Sequence, residues 1–386
     1  MLSILEPQDC CGCHACYSIC PKSCITMRSD SEGFWYPQID QMKCINCGSC
    51  ERVCPIIHKT IINNNPQAYA AYNIDENNRM QSSSGGIFTL LAENIIARGG
   101  VVFGAGFDNE FQVVHSCAET RSEIKAFRGS KYVQSKIGET YKQVRIFLDV
   151  GRLVLFSGTP CQISGLKSYM GKEYDNLFCQ DIICHGVPSP KVWKNYVAYR
   201  EGCSGTPVGR ISFREKNESW KRYSVSFLFN DDTEYRETFD KDLMMQGFLK
   251  NIYLRPSCYH CCFKGVNRQS DITLADFWGI ENVLPELFDD KGTSLIFLNS
   301  QKGQDLFQQI DEKMIFCHVD IKKAVSYNPS AFQSSRPSTK RDAFFKDLDK
   351  LPFEALMKKY CVDSYYTKAR HTIHRFLSKV KHIFIK

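Results

Sequence analysis

No apolar run in this sequence approaches the roughly eighteen residues that a membrane-spanning helix requires, so no transmembrane segment is expected. Residues 1–7 show neither the basic stretch nor the apolar core that opens a secretory leader. No basic stripe interleaved with aromatics is present, which argues against a nucleic-acid enzyme. A dinucleotide fingerprint is missing as well. In residues 99–107, GGVVFGAGF, the glycines precede and interrupt a strand instead of following it into a helix. That segment reads as a helix stop and a buried strand.

What the sequence has in abundance is cysteine, twenty in 386 residues. Disulfide-dense scaffolds are short secreted chains, so thiols in this number and setting read as metal ligands in a reducing cytoplasm. Eight of them follow one pattern written twice. Cys10, Cys13, Cys16 and Cys20 stand at C-x2-C-x2-C-x3-C before Pro21, and Cys44, Cys47, Cys50 and Cys54 repeat it before Pro55. A 4Fe–4S cubane needs four soft thiolates around it, and the tight triplet wraps three of them on one side. The fourth crosses from the other repeat. The expected sets are therefore Cys10, Cys13, Cys16 with Cys54, and Cys44, Cys47, Cys50 with Cys20. Structural zinc usually takes separated C-x2-C pairs instead. The formal charge of +7 is a weak sign of a nucleic-acid partner. Each cluster sets four thiolates against a core of about +2, so three clusters would remove roughly six charges.

Between the repeats, residues 29–39 (SDSEGFWYPQI) read as a turn and a short aromatic strand. Residues 33–35 there either shield a cluster from water or form the core of a tiny domain. The asparagine run and proline in residues 56–67 (IIHKTIINNNPQ) are boundary chemistry. The expected organisation is a small ferredoxin-like domain at 1–60, a linker at 61–67, a larger mixed α/β domain at 68–330 and a C-terminal helical region at 331–386. The fold class is α+β / α/β.

Within the larger part, QSSSGGIFT at residues 81–89 opens an amphipathic run through Arg98. Hydroxyls and glycines ahead of a helix leave N–H groups and the positive dipole end facing outward, which suits a phosphate or pyrophosphate. An ordinary serine N-cap is the alternative. Thr120 and Glu123 form a capping box. RGSKY at 128–132 is a glycine turn with two cations, either a second anion contact or a solvated turn. A strand at 152–157 runs into Cys161 and a helix, and a strand at 176–183 ends at Cys184 and His185. Both cysteines thus follow the carboxyl ends of strands, where open α/β sheets bind ligands. Cys258 and Cys261 form an isolated C-x2-C, half a metal site that Cys161 and Cys184 can complete. Cys262, Cys179 and Cys203 are rival ligands or plain buried thiols. Further strands are expected at 208–215, 223–230, 233–239 and 271–278, with a helix at 240–251. His185, Tyr259 and His260 are either proton donors or structural groups, and Asp276 stands where it can cap a strand end.

In order along the chain, QSSSGGIFTLL, RGSKYVQS, FSGTPCQISGL, ICHGVPSP, SCYHCCFK and SDITLADFWG resemble the coenzyme F420 hydrogenase/dehydrogenase beta-subunit family over residues 68–299. The resemblance implies FAD near the SGG helix start and the GSKY turn, with Ser83, Ser84, Gly85, Gly86, Thr89, Ser130, Lys131 and Asp276 around it. It also implies a third 4Fe–4S cluster beside the flavin, on Cys161, Cys184, Cys258 and Cys261. The hydrogenase protein that names the family lacks a fused ferredoxin domain, so its deazaflavin substrate does not carry over. Fused bacterial relatives accompany surface-polysaccharide synthesis genes, an analogy of layout only.

The expected function is a cytoplasmic, FAD-dependent iron–sulfur oxidoreductase. Electrons would pass from ferredoxin or another low-potential donor through the clusters to FAD and on to an organic substrate. The alternative is an electron-transfer subunit serving a separate catalytic chain. At the C-terminus, Ile373, Phe376, Leu377, Val380, Ile383 and Phe384 recur at helical spacing among Arg370, Arg375, Lys379, Lys381 and Lys386. This pattern fits peripheral contact with the inner face of a membrane, or a helix packed on its own domain.

Overall fold

A computed structural model of the protein describes residues 6–363, and the basic amphipathic tail lies outside the described residues. The N-terminal segment holds two short helices, Ala15–Ile19 and Ser49–Arg52, and a hairpin of β1 (Ile25–Ser29) and β2 (Trp35–Ile39). Asp30 closes the hairpin: its Oδ1 accepts from the backbone N–H of Glu32 at 3.0 Å and of Phe34 at 2.9 Å. The tip packs on the larger part of the chain. Phe34 is buried, Arg341 donates to Glu32 Oε1 at 2.8 Å, and Lys191 Nζ donates to the Ser31 carbonyl at 3.0 Å. Residues 33–35 therefore seat the segment on the larger part of the chain, because the aromatic tip has an apolar surface there to bury against. Cys13, Ala15 and Val53 likewise share one core with Ile163 and Leu166. Past Pro55 the chain is irregular but tied down: Asn64 Nδ2 donates to the carbonyls of Arg268 and Asn299, both at 3.0 Å.

The larger part is built on an eight-stranded mixed sheet. Its strands are β3 (Gln67–Asn73), β4 (Val101–Phe107), β5 (Val113–Ala118), β6 (Val154–Ser157), β7 (Leu177–Ile182), β11 (Ile272–Asp276), β12 (Ser294–Leu298) and β13 (Met314–Val319). The order is β13-β3-β12-β11-β7-β6-β4-β5. The middle four, β11, β7, β6 and β4, are parallel, and antiparallel strands complete both sides. A second, three-stranded antiparallel sheet comprises β8 (Val208–Glu215), β9 (Ser224–Phe229) and β10 (Glu234–Thr238).

Period-two alternation explains how the large sheet is covered on both faces. Val102, Leu155 and Phe178 point into a core with Leu90, Leu91 and Ile95 of the helix Ile87–Ala97. Their neighbours Val101, Phe103, Val154, Phe156 and Leu177 point the other way, onto the helices Thr140–Asp149 and Pro160–Met170. Truncating one such side chain, Phe156→Ala for example, removes about 3–5 kcal/mol. Parallel strands bring their carboxyl ends to one edge, so Ser157, Ile182 and Asp276 end up facing the same space. The fold is the mixed α/β architecture with a small N-terminal ferredoxin-like part.

Candidate functional site

The two cysteine repeats fold alike. Gly12 and Asn46, two residues after the first cysteine of each run, have φ of 67° and 52°; His14 and Gly48, two residues further, have 65° and 68°. Left-handed residues at alternate positions are a feature of the concave N–H nests that suit an anionic iron–sulfur cluster. Around the first repeat, Cys10, Cys13, Cys16 and Cys54 line one small cavity. Around the second, Cys44, Cys47 and Cys50 share a cavity with Cys20. The crossed pairing expected from the spacing is thus the arrangement found in space. The surroundings of the two differ: Cys10, Cys13, Cys16 and Cys54 are buried, whereas Cys47 is exposed.

Cys161, Cys184, Cys258 and Cys261 line a third cavity, with Arg255, Lys264 and Arg268 in its wall. Cys161 stands at the start of the helix Pro160–Met170, directly after β6, and Thr159 and Gln162 cap that helix reciprocally. Cys184 follows β7. Cys258 accepts from Val187 N–H at 3.4 Å, and Lys264 Nζ donates to the Cys184 carbonyl at 2.5 Å. Burial pushes the Cys184 thiol up to about 12 and raises Cys258 and Cys261 as well. Crowded thiols resist ionisation on their own; a cationic iron–sulfide core in their midst reverses that. Among the described residues, no three His, Cys, Asp or Glu groups converge as a single ion needs. The thiols ring small spaces, which a wider polynuclear core requires.

The rival cysteines do not reach this third cavity. Cys179 is buried on β7, its N–H bonded to Asp271 Oδ2 at 2.8 Å, while Cys203 and Cys262 are exposed. Cys11 does reach it. It lines both this cavity and that of the first repeat. The repeat spacing drew attention to Cys10 and Cys13 and gave no signal for the thiol between them. Cys24, whose Sγ lies 3.3 Å from that of Cys20, was passed over for the same reason.

A cavity of about 520 Å³ opens at the carboxyl ends of the parallel strands. Ser83, Ser84, Gly86, Ser130, Lys131 and Asp276 all face it, as do Cys184 and His185, which it shares with the third cysteine cavity. The serine loop and the GSKY turn meet directly: Ser83 Oγ accepts from Ser130 N–H at 2.7 Å and lies 3.0 Å from Ser130 Oγ. No serine caps the helix Ile87–Ala97. Gly86 is its N-cap, at φ 83° and with no side-chain bond, so the ordinary serine N-cap is ruled out. Two residues expected at the cofactor are placed elsewhere. Gly85 packs on the sheet, where an added Cβ would lie 2.4 Å from the Ala71 carbonyl, and its N–H donates to Ser294 Oγ. Thr89 is buried in the first turn of the helix and does not line the cavity.

Charges around this space are mostly buried cations. Burial lowers the Lys131 ammonium to about 7, with its Nζ donating to the carbonyls of Ala126 and Arg128. Lys216, missed from sequence, braces the serine loop from behind by donating to the carbonyls of Ser84 and Lys291, both at 2.6 Å. Burial, then the nearby Arg214, lowers it to about 7. Asp276 is paired with Arg214 at 2.5 Å, so it neither stands free nor caps a strand end alone. His115 also faces the cavity, and burial lowers it to about 4. Its Nε2 donates to the Ser157 carbonyl at 3.0 Å and Nδ1 accepts from Ser135, which fixes a neutral tautomer. His185 is held by Asn251 Oδ1 at 2.6 Å. Tyr259 donates to the Asn251 carbonyl, and His260 is exposed and faces neither cavity.

Residues 9–56 match the model of the 4Fe–4S dicluster domain, and residues 151–323 match that of the C terminus of the coenzyme F420 hydrogenase/dehydrogenase beta subunit. The chain joins a dicluster ferredoxin domain to a beta-subunit domain of that family. It is an iron–sulfur electron-transfer oxidoreductase by family. The beta-subunit match contains Cys161, Cys184, Cys258, Cys261 and Asp276; the serine loop and the GSKY turn precede it. Along 81% of this chain and 85% of its own length, a subunit of the F(420)H(2) dehydrogenase of Methanosarcina mazei is 18% identical. An uncharacterized ferredoxin of Methanocaldococcus jannaschii is 36% identical over 52 residues, 14% of this chain and 66% of the ferredoxin. A chain in the structure of a xenon derivative of the F420-reducing [NiFe] hydrogenase complex from Methanosarcina barkeri aligns with 18% identity and a TM-score of 0.46, over 66% of this chain and 83% of that one. No helix among the described residues is long and apolar enough to cross a membrane.

Proposed function

We propose that the protein is an FAD-dependent oxidoreductase carrying three 4Fe–4S clusters, taking electrons from a low-potential donor such as ferredoxin and passing them to an organic substrate. The carrying observation is contiguity. The cavities of the first repeat and of the third cysteine set share Cys11, and the third set shares Cys184 to Val187 with the 520 Å³ cavity. When bound, clusters pass single electrons and flavin converts these to the two-electron chemistry of organic substrates.

The chain's own residues divide the work. The exposed Cys47 side of the second repeat is where a soluble donor approaches. Ser83, Ser84 and Gly86, with the uncapped helix start and Lys131, hold the pyrophosphate. Asn251 orients His185 between the third cysteine set and the large cavity, where the imidazole can hold a proton for the substrate. The substrate is proposed as an intermediate of surface-polysaccharide metabolism, by analogy with fused bacterial relatives.

Anaerobic purification followed by iron, sulfide and flavin assays tests the reading. The expected result is about twelve iron per chain and one non-covalent FAD. Absence of flavin from acid-released supernatant overturns it. A second reading, that the chain only relays electrons to another catalytic chain, is favoured by the similarity to a protein named as part of a dehydrogenase over most of both lengths. Turnover of an organic substrate by the isolated chain would reject that second reading.

A further inference from the structure

Arg255 is completely buried, yet no carboxylate lies within 4 Å of it among the described residues. Its three donor groups go to neutral oxygens: Nε to the Cys10 carbonyl at 2.8 Å, one terminal nitrogen to Gln134 Oε1 at 3.0 Å, the other to the Trp35 carbonyl at 3.0 Å. The Tyr36 ring lies 4.3 Å from the guanidinium carbon. Hydrogen bonds satisfy the geometry of the group and leave its charge uncompensated. A buried charge is costly unless an opposite charge answers it.

Position supplies the answer. The guanidinium bonds to the backbone of the first ligand of the first repeat, and Arg255 also lines the cavity of Cys161, Cys184, Cys258 and Cys261. The thiol groups nearest it electrostatically are Cys10, Cys11 and Cys258, one or more from each side. Four thiolates around a cluster core of about +2 leave a net negative centre, more so on reduction. A fixed cation between two such centres favours the reduced form of both.

We infer that Arg255 is the buried counter-cation shared by the first-repeat cluster and the third cluster, raising the reduction potentials of these two centres relative to that of the second repeat. For the third cluster this rests on the function proposed above; for the first it does not. Arg255 is a positioning and tuning residue, since it touches no reacting atom.

The test is an anaerobic redox titration of the cluster-loaded protein followed by EPR, with Cys258→Ser used to assign the third signal. Arg255→Gln should lower the first and third potentials by about tenfold in the one-electron equilibrium, or ~59 mV, and leave the second unchanged. Arg255→Lys should stay close to the parent. Gln134→Glu is isosteric and keeps the hydrogen bond, and the guanidinium holds the new carboxylate ionised. It should lower the same two potentials with no loss of iron, and it decides the matter if Arg255→Gln fails to retain its clusters. Unchanged potentials in Gln134→Glu, or an equal shift of all three, overturn the inference. If the parent protein holds only about eight iron, the third cluster fails on that count alone, and the first-repeat signal still tests Arg255.

Discussion

Asp276 Oδ2 stands 2.5 Å from the Arg214 guanidinium, and its other oxygen accepts Trp220 Nε1–H at 3.2 Å. Arg214 is buried and lies over the Tyr223 ring, so the pair joins the end of β11 to the second sheet across one wall of the large cavity. Removing one member of a buried pair strands the other. Asp276→Ala should therefore lower stability by about 3–5 kcal/mol. Urea unfolding checks this, and a variant as stable as the parent would show the pair to be dispensable.

Iron counting separates ligands from bystanders among the thiols. Cys258→Ser should lose about a third of the iron while the two ferredoxin signals persist. Cys11→Ala should keep all of it, because Cys11 sits outside both expected ligand sets despite lining two cavities. Loss of iron in Cys11→Ala would make that thiol a ligand.

Two positions near the helix start should behave oppositely. Gly86 has φ of 83°, and an added Cβ would lie 3.2 Å from Arg79 Cα and 3.3 Å from Asn73 Cβ, so Gly86→Leu should abolish flavin retention. Thr89→Val, in the first turn of the helix and outside the cavity lining, should retain flavin as the parent does. Equal flavin content in the two purified variants contradicts the placement of the pyrophosphate.

Lys131 predicts a pH dependence. Burial places its free-protein value near 7, and a bound pyrophosphate would raise it. Affinity is then constant below about pH 7, where the lysine is charged in both states. Above that, the free protein loses its proton first, and flavin affinity should fall by up to roughly tenfold per pH unit until the bound-state value is passed. Lys131→Met should bind more weakly and flatten the profile. Fluorescence titration of FAD from pH 6 to 9 reads both effects.

Local spacing made the two N-terminal cysteine groupings legible, because geometry within a run is set by chain connectivity. Apolar runs did the same for part of the strands: the segment expected at 208–215 is β8 and the other expected ones differ by a residue or two at their ends, while β1, β5, β12 and β13 carried no expectation. The serine loop and the GSKY turn were visible separately, but the Ser83–Ser130 bond that joins them spans 47 positions and has no local signature. His115, Lys216 and Arg214 were invisible for the same reason, since each earns its role through partners distant in sequence. Gly85 misled because two adjacent glycines look alike on paper. One answers a neighbouring backbone and the other a left-handed turn. The sheet order was also unreadable, as antiparallel flanking strands alternate just as parallel neighbours do.

The hairpin that seats on the larger part through Glu32 and Arg341 has a kinetic consequence. A separate ferredoxin must find its acceptor by diffusion, so its delivery rate depends on its concentration and falls as salt screens the encounter. A carrier anchored by its own chain meets its acceptor at a fixed effective concentration, whatever the dilution. Delivery to the inner centres should therefore be first order and insensitive to ionic strength, leaving only the outer encounter, at the exposed second repeat, open to competition among donors.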